Sequence, residues 1–111
     1  MALVKNYREI IKHLIDEYAS YIPSHGKIEA EKIMDTERDH YEVIHIGWDG
    51  PRRVHGSVLH IDLKNDKIWI QYDGTSRPIA NELIAKGIPK ESIVLGFYPI
   101  EERKYTGFAL E

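Results

Sequence analysis

The sequence contains no cysteine among its 111 residues. Disulfide bonds, cysteine-ligated zinc sites and thiol nucleophiles are therefore excluded, and the composition suits a reducing compartment. The sequence also lacks an apolar run of about 18 residues, the length that a helix needs to cross a bilayer. The chain begins with an amphipathic pattern and without the layout of a signal peptide. We therefore expect a cytoplasmic protein.

An excess of positive charge is missing as well. Fifteen Lys and Arg residues stand against eighteen Asp and Glu residues, which gives a formal net charge of −3. Proteins that bind DNA tightly by themselves usually present a basic surface, because contacts to phosphates supply much of the affinity. The charge balance therefore argues against tight independent DNA binding. The adjacent pair Arg52 and Arg53 is kept as a candidate nucleic-acid contact.

Recognisable catalytic and nucleotide-binding motifs are absent. No Walker loop or Gly-x-Gly-x-x-Gly loop occurs, so nucleotide binding has no support. Ser57 lacks the second glycine and the strand-to-helix turn of a nucleophile elbow. We expect no catalytic residue and no cofactor.

An amphipathic helix is the clearest feature that the sequence does contain. Apolar residues recur at helical spacing from Leu3 to Ile22, in two neighbouring rows that form one broad stripe. Pro23 and Gly26 then interrupt the pattern. The spacing predicts a long N-terminal helix with one face for packing.

The middle of the chain predicts strands. Four strand-like segments follow one another: 28–34, 39–48, 52–63 and 67–72. The pairs Asp49-Gly50 and Asn65-Asp66 mark tight turns between the last three, which is typical of an antiparallel meander. A short helix containing Ile79 and Leu83 follows, and the apolar run 93–98 is either a fifth strand or a packed extended segment. We predict one α+β domain over residues 1–111, with an antiparallel sheet of four to five strands, the long helix on one face and the shorter helix after the fourth strand.

Two-residue turns would also set the two faces of the sheet. Residue 45 then faces residue 54, and residue 61 faces residue 70. The predicted helix-covered face is apolar: Ile44, Ile46, Trp48, Leu59, Ile61, Leu63, Ile68, Ile70 and Tyr72. The other face is mixed: Tyr41, Val43, His45, Val54, Gly56, Val58, His60, Asp62, Trp69 and Gln71. An amphipathic patch on this second face is the candidate partner-binding surface: Tyr41, His45, Val58, His60 and Trp69. For Trp69, the alternative is coverage by the C-terminal segment through Phe97 or Phe108.

A metal site and a nuclease site can both be compared with these predicted faces of the sheet. His45, His60 and Asp62 share the second face and have side chains that bind first-row metals, but the two histidines are offset along their strands. We therefore expect hydrogen-bonded side chains and no metal site there. Asp49 with Asp62-Leu63-Lys64 is the pattern of a Mg²⁺-dependent nuclease, yet the register separates the two carboxylates along one hairpin.

The order of several blocks along the chain resembles the XisI family. The blocks are His45-Ile46-Gly47-Trp48, Arg52 to His60, Lys67 to Thr75, Ile79 to Leu83, Gly87 to Glu91 and Phe97 to Phe108. The resemblance extends from about Tyr7 to Ala109.

This resemblance implies an accessory role in programmed excision of the cyanobacterial fdxN element, a DNA rearrangement of heterocyst differentiation. It implies two partners, a nuclease-like companion called XisH and a separate site-specific recombinase. The mixed second face of the sheet would also suit a second copy of the chain, so we expect a dimer. No catalytic residues carry over from the family. A direct DNA-binding protein or Mg²⁺-dependent nuclease, and a protein that neutralises a XisH-like nuclease, remain as alternatives.

Overall fold

The computed structural model describes residues 2–111, with side chains from Asn6 onward. The chain begins with helix α1, which spans Ala2–Ala19. Four strands follow it in order: β1 at Lys27–Asp35, β2 at His40–Asp49, β3 at Arg52–Lys64 and β4 at Lys67–Asp73. The remaining elements are α2 at Ile79–Ala85, a short 3₁₀ turn at Lys90–Ser92, β5 at Ile93–Leu95 and α3 at Ile100–Arg103.

All five strands form one sheet in the order β1-β2-β3-β4-β5. Strands β1 to β4 are an antiparallel meander, as predicted. Strand β5 pairs with β4 in parallel, because the α2 crossover returns the chain to the same end of the sheet. The predicted α+β architecture is confirmed, with a fifth strand that is parallel to its neighbour.

Helices α1 and α2 cover one face of the sheet, and the hydrophobic core lies between. The largest fully buried side chains come from both layers: Tyr41, Ile11, Leu14, Ile15, Leu59, Ile61, Ile68, Ile70, Ile79, Leu83, Ile93 and Val43. Helix α1 ends at Ala19, three residues before the predicted limit. Tyr21 and Ile22 beyond it are exposed, so no packing extends the helix, and the Ser20 hydroxyl donates to the Glu17 carbonyl oxygen.

The register of the first hairpin differs from the prediction. Asp49 pairs with Arg52, so Gly50-Pro51 forms the turn and residue 45 faces residue 56 instead of 54. A bulge then leaves Val58 unpaired, because Val43 pairs with Leu59 while Ile44 pairs with Ser57. The predicted pairing of residues 61 and 70 is confirmed.

This bulge exchanges the faces of β2. Side chains alternate between the two sides of a strand, so one extra residue in β3 shifts that alternation by one position. Beyond the bulge, the other set of β2 residues therefore shares a side with each set of β3 residues. Tyr41 and Val43 therefore join Leu59 in the core, whereas Ile44 and Ile46 point away from α1 and are only half-buried. The prediction that placed Ile44, Ile46 and Trp48 under the helix is wrong.

Helix α1 is fixed to the turn between β1 and β2 by a bidentate ion pair. Arg8 donates from Nε and Nη2 to the two Asp39 carboxylate oxygens at 2.8 and 2.9 Å, and the Tyr41 hydroxyl donates to Asp39 Oδ1 at 2.7 Å. Asp39 has a φ of 59°, a left-handed conformation that Asp tolerates better than most residues. The Arg8 hydrogen bond is the main reason that the pKa of Asp39 lies below its ordinary value. These contacts hold in place the residue next to His40.

Within residues 2–111, no helix is both long enough and apolar enough to cross a membrane.

Candidate functional site

One side of the sheet is not packed against α1 or α2, and we call it the open face. Side chains alternate between the two sides of a strand. The buried Tyr41 and Ile61 therefore identify which residues of β1 to β3 lie on the open face. On β1 to β3 its large apolar side chains are half-buried or exposed: Ile33, Ile44, Ile46 and Trp48. Tyr72 of β4 is exposed as well. Trp48 and Tyr72 are 50% and 49% exposed. This mixture is unusual for a surface that faces only water.

A histidine–aspartate cluster lies near one end of the open face. His40 and Asp62 are cross-strand partners, and His60 precedes Asp62 by two residues, so all three side chains share a face. His40 Nδ1 and His60 Nε2 each lie 2.9 Å from the same carboxylate oxygen, Asp62 Oδ1. The Gln71 amide donates to the other oxygen, Asp62 Oδ2, at 3.1 Å. Three strands thus place three polar side chains around one carboxylate.

The environment of Asp62 keeps it ionised. Partial burial by itself raises the pKa of this carboxyl group. The hydrogen bonds from His40 and Gln71, together with the interaction with His60, outweigh that effect and hold the pKa of Asp62 below its ordinary value. The result is an anionic centre with two imidazoles beside it.

The candidate nucleic-acid contacts lie at the other end of the sheet, with Arg53 on the open face and Arg52 on the opposite side. Arg53 pairs with Trp48 across the hairpin, and its guanidinium lies 5.3 Å from the Trp48 ring centroid. Arg52 contacts the Asp49 carboxylate at 3.3 Å. Both arginines are exposed, and one is paired with an acid, so they form a small basic tip and not an extended basic stripe.

The predicted partner-binding patch is not assembled on one surface. Tyr41 is fully buried under α1, and Val58 packs against the same core. His45 lies on the helix side of β2, half-buried, with its Nε2 atom buried and without a hydrogen-bond partner among the described residues. These three positions on the open face were wrong because of the bulge at Val58. His60 is on the open face as predicted.

Trp69 is also on the open side, but the C-terminal segment covers it. The residue is 8% exposed, with Lys64 Nζ 4.1 Å and Arg103 Cζ 5.3 Å from the centroid of its ring. Arg103 also donates to the carbonyl oxygens of Tyr98 and Leu110, which ties the C-terminal segment together. The alternative of C-terminal coverage is therefore correct, with Arg103 over the ring, whereas Phe108 packs against the core on the other side of the sheet.

The proposed nuclease residues are dispersed. Asp49 lies at the hairpin turn and Asp62 pairs with His40 at the far end of β2, roughly 30 Å away along an extended strand. Lys64 lies over the Trp69 ring. One Mg²⁺ ion cannot contact Asp49 and Asp62 together in this arrangement.

Comparison with known proteins gives one consistent result. The family model described as XisI protein matches residues 1–110. The chain belongs to the XisI family. A crystal structure of a XisI-like protein from Anabaena variabilis matches with a TM-score of 0.91 and 40% identity, covering 97% of this chain and 99% of that one.

A second solved structure is of a protein named for the control of DNA excision. The fdxN element excision controlling factor XisI from Anabaena variabilis matches with a TM-score of 0.81 and 34% identity. The alignment covers 98% of this chain and 99% of that chain. No curated protein matches. The resemblance that was drawn from sequence blocks is confirmed.

His40 is the residue of this cluster that sequence reasoning missed. The pattern His60-x-Asp62 was visible, since residues at i and i+2 of a strand share a face. His40 would have entered the cluster if β2 had been aligned with β3 through the bulge, where it pairs with Asp62. The sequence signal was a histidine at the first residue of a strand, which is weak by itself.

Proposed function

We propose that this XisI-family protein is a non-catalytic accessory factor that controls excision of a DNA element by binding a protein partner. The partner that we propose is a XisH-like, nuclease-like protein, and through it a site-specific recombinase. The observation that carries the proposal is the open face, where exposed Ile33 and Tyr72 lie beside the histidine–aspartate cluster and exposed Trp48 lies at the other end. Aromatic and aliphatic side chains among polar neighbours are the composition of protein interfaces.

The charge of the open face suits a partner that acts on DNA. Acidic side chains predominate along its β1 margin and its centre: Glu29, Glu31, Asp35, Glu42 and Asp62. Lys27, Arg53 and Lys64 are the basic residues that share the open face with them on β1 and the β2–β3 hairpin. Proteins that handle DNA carry basic surface for phosphate contacts. An acidic and partly apolar face is complementary to such a surface, and it is a poor site for the DNA itself.

The setting comes from the family. The relative named fdxN element excision controlling factor XisI shares the fold over nearly its whole length. Carrying that role to this chain supports a function in programmed DNA rearrangement, with the strand-exchange chemistry performed by another protein. The dispersed positions of Asp49, Asp62 and Lys64 support the non-catalytic part of the proposal.

Co-expression with a XisH-like protein from the same genome, followed by size-exclusion chromatography with light scattering, tests the proposal. We expect one complex, and we expect the Trp48→Ala variant to weaken it by about tenfold or more, as for an interface hot spot. The matched control is Tyr105→Ala, since Tyr105 is 80% exposed and lies outside the sheet. A nuclease assay of the complex then distinguishes two roles. Retained activity indicates recruitment of the partner, and lost activity indicates its neutralisation.

Other outcomes would replace this proposal. Absence of a complex at micromolar concentrations would count against partner binding, and a dimer of the chain alone that Trp48→Ala disrupts would assign the open face to a second copy. Mg²⁺-dependent DNA cleavage by the chain alone, lost in Asp62→Ala, would establish an enzyme. DNA affinity that falls steeply with salt and depends on Arg52 and Arg53 would favour direct DNA binding.

A further inference from the structure

The histidine–aspartate cluster has the donor atoms of a metal site. His40 Nδ1, His60 Nε2 and a carboxylate oxygen of Asp62 all lie within 4.8 Å of one another. Ligands bonded to a tetrahedral Zn²⁺ ion at its usual distances are about 3.4 Å apart. The two nitrogen-to-oxygen distances of 2.9 Å are already close to that value, so small side-chain rotations would suffice. Among the residues that the structure describes, this is the one trio of such side chains that comes together.

The three ligands differ in freedom in a way that suits ion binding. The Asp62 side chain is 14% exposed, whereas those of His40 and His60 are 55% and 35% exposed. The carboxylate is therefore fixed, and the imidazoles can adjust around an incoming ion. Gln71 donates to Asp62 Oδ2 and leaves Oδ1 directed at both histidines. A hydrogen bond that orients a ligating carboxylate is the typical outer layer of a metal site.

The sequence predicted His45 as the second histidine of this cluster, offset from His60 along the strands. In the structure His45 lies on the opposite side of the sheet and takes no part. The cross-strand pairing of His40 with Asp62 supplies the second imidazole at the correct level. Two imidazoles and one carboxylate favour zinc and similar transition metals over Mg²⁺ and Ca²⁺, which prefer oxygen ligands. Three protein ligands leave a fourth position for water or for a donor from a bound protein, and the exposed His40 makes the cluster accessible from the open face.

We propose that His40, His60 and Asp62 bind one divalent transition-metal ion of the zinc class on the open face. Gln71 is a positioning residue that orients the carboxylate. In the metal-bound state both ligating nitrogens are unprotonated, and the hydrogen bonds that they make to Asp62 are replaced by bonds to the ion. The proposal concerns the chain by itself and does not depend on the identity of its protein partner.

Titration of the isolated protein with Co²⁺ tests the site, because visible absorption bands of bound Co²⁺ report its coordination. Zn²⁺ competition and elemental analysis of the dialysed protein then give the affinity and the stoichiometry. We expect one ion per chain, a Co²⁺ spectrum of four- or five-coordinate nitrogen and oxygen ligation, and displacement by Zn²⁺. His40→Asn and His60→Asn should each weaken binding by at least tenfold, and Gln71→Ala by about 10- to 100-fold.

The matched control is His55→Asn, which removes an exposed histidine from the open face of β3 outside the cluster. It should leave binding unchanged. Binding that His40→Asn and His60→Asn do not weaken would overturn the proposal, as would a wild-type chain that retains no Zn²⁺. His40→Asn is the decisive variant because His40 is exposed and its substitution leaves the core intact, which circular dichroism can check. Loss of metal binding with an intact XisH-like complex, or the reverse, would separate this proposal from the proposed function.

Discussion

The two faces of the sheet are built from the same strands but under different requirements. On the covered face, Tyr41, Leu59 and Ile61 are fully buried against α1. On the open face, Ile44 and Ile46 from the same strands are half-buried beside His60 and Asp62. The covered face has the uniform apolar composition that stability demands. The open face retains both apolar and ionisable side chains, and folding alone does not explain that combination, so we assign function there.

The two tryptophans give the largest expected contrast. Trp69→Ala should lower the free energy of unfolding by about 4 kcal/mol, because the ring is buried beneath Arg103 and Lys64 and its loss leaves a cavity. Trp48→Ala should cost less than about 1 kcal/mol, since half of its surface is already in water. Urea denaturation measures both. Equal losses would show that the C-terminal segment does not protect Trp69.

A pair of isoleucines tests the exchange of faces. Ile61→Ala should cost about 3 kcal/mol, as expected for a fully buried isoleucine. Ile44→Ala should cost about 1 kcal/mol because its side chain is half-buried on the open face. Chemical denaturation of the two variants compares them directly. The opposite ranking would restore the register without a bulge and place Ile44 in the core.

The ion pair between α1 and the β1–β2 turn predicts a pH dependence. Asp39→Asn should cost about 2 kcal/mol at neutral pH, because it removes charge-assisted hydrogen bonds with Arg8. The pKa of Asp39 in the folded protein lies below its ordinary value of 3.8. The contribution of ionised Asp39 to the free energy of unfolding is therefore fully present above that pH. It is lost as the pH falls through the lower, folded-state pKa.

Thermal unfolding between neutral and acidic pH measures this effect. The stability of Asp39→Asn should decline less steeply with acid than that of the wild type. Asp16→Asn is the control, because the Asp16–Lys32 pair is solvent-exposed and should contribute nothing measurable. An acid response of Asp39→Asn identical to the wild type would remove Asp39 from the explanation.

Two arginines give the smallest and sharpest comparison. Arg103 and Arg53 each lie 5.3 Å from the ring centroid of a tryptophan. Arg103→Ala should cost about 1 kcal/mol, because it also loses hydrogen bonds to two carbonyl oxygens of the C-terminal segment. Arg53→Ala should stay within about 0.5 kcal/mol of the wild type, since it is exposed. Calorimetry can resolve this difference, and equal effects would show that contact with the ring dominates in both.

Much of the fold could be predicted from local patterns. The helical spacing gave α1, and turn pairs with alternating segments gave the four-stranded meander, because each of these signals depends on neighbouring residues. The exact end of α1 could not be predicted from periodicity, since Tyr21 and Ile22 continue the apolar pattern although nothing covers them. The direction of β5 depends on a crossover, which three apolar residues do not reveal.

The candidate site was harder to predict from the sequence. His60 and Asp62 were placed together because alternation within one strand fixes their common side. Tyr41, His45 and Val58 were assigned to the wrong surface because the unpaired Val58 changes the alignment of two strands. His40 was missed for the same reason.

The sequence by itself determined the helix, the strand order of the meander, the acidic balance and the membership in the XisI family, because these properties are carried by composition and by short ordered blocks. The tertiary structure decided which side of β2 is covered, that His40 meets Asp62, and that Arg103 covers Trp69 from 34 residues further along the chain. The physical reason is that pairing between strands and packing of distant segments depend on global geometry. A single extra residue in a strand reverses that geometry while leaving every local pattern unchanged.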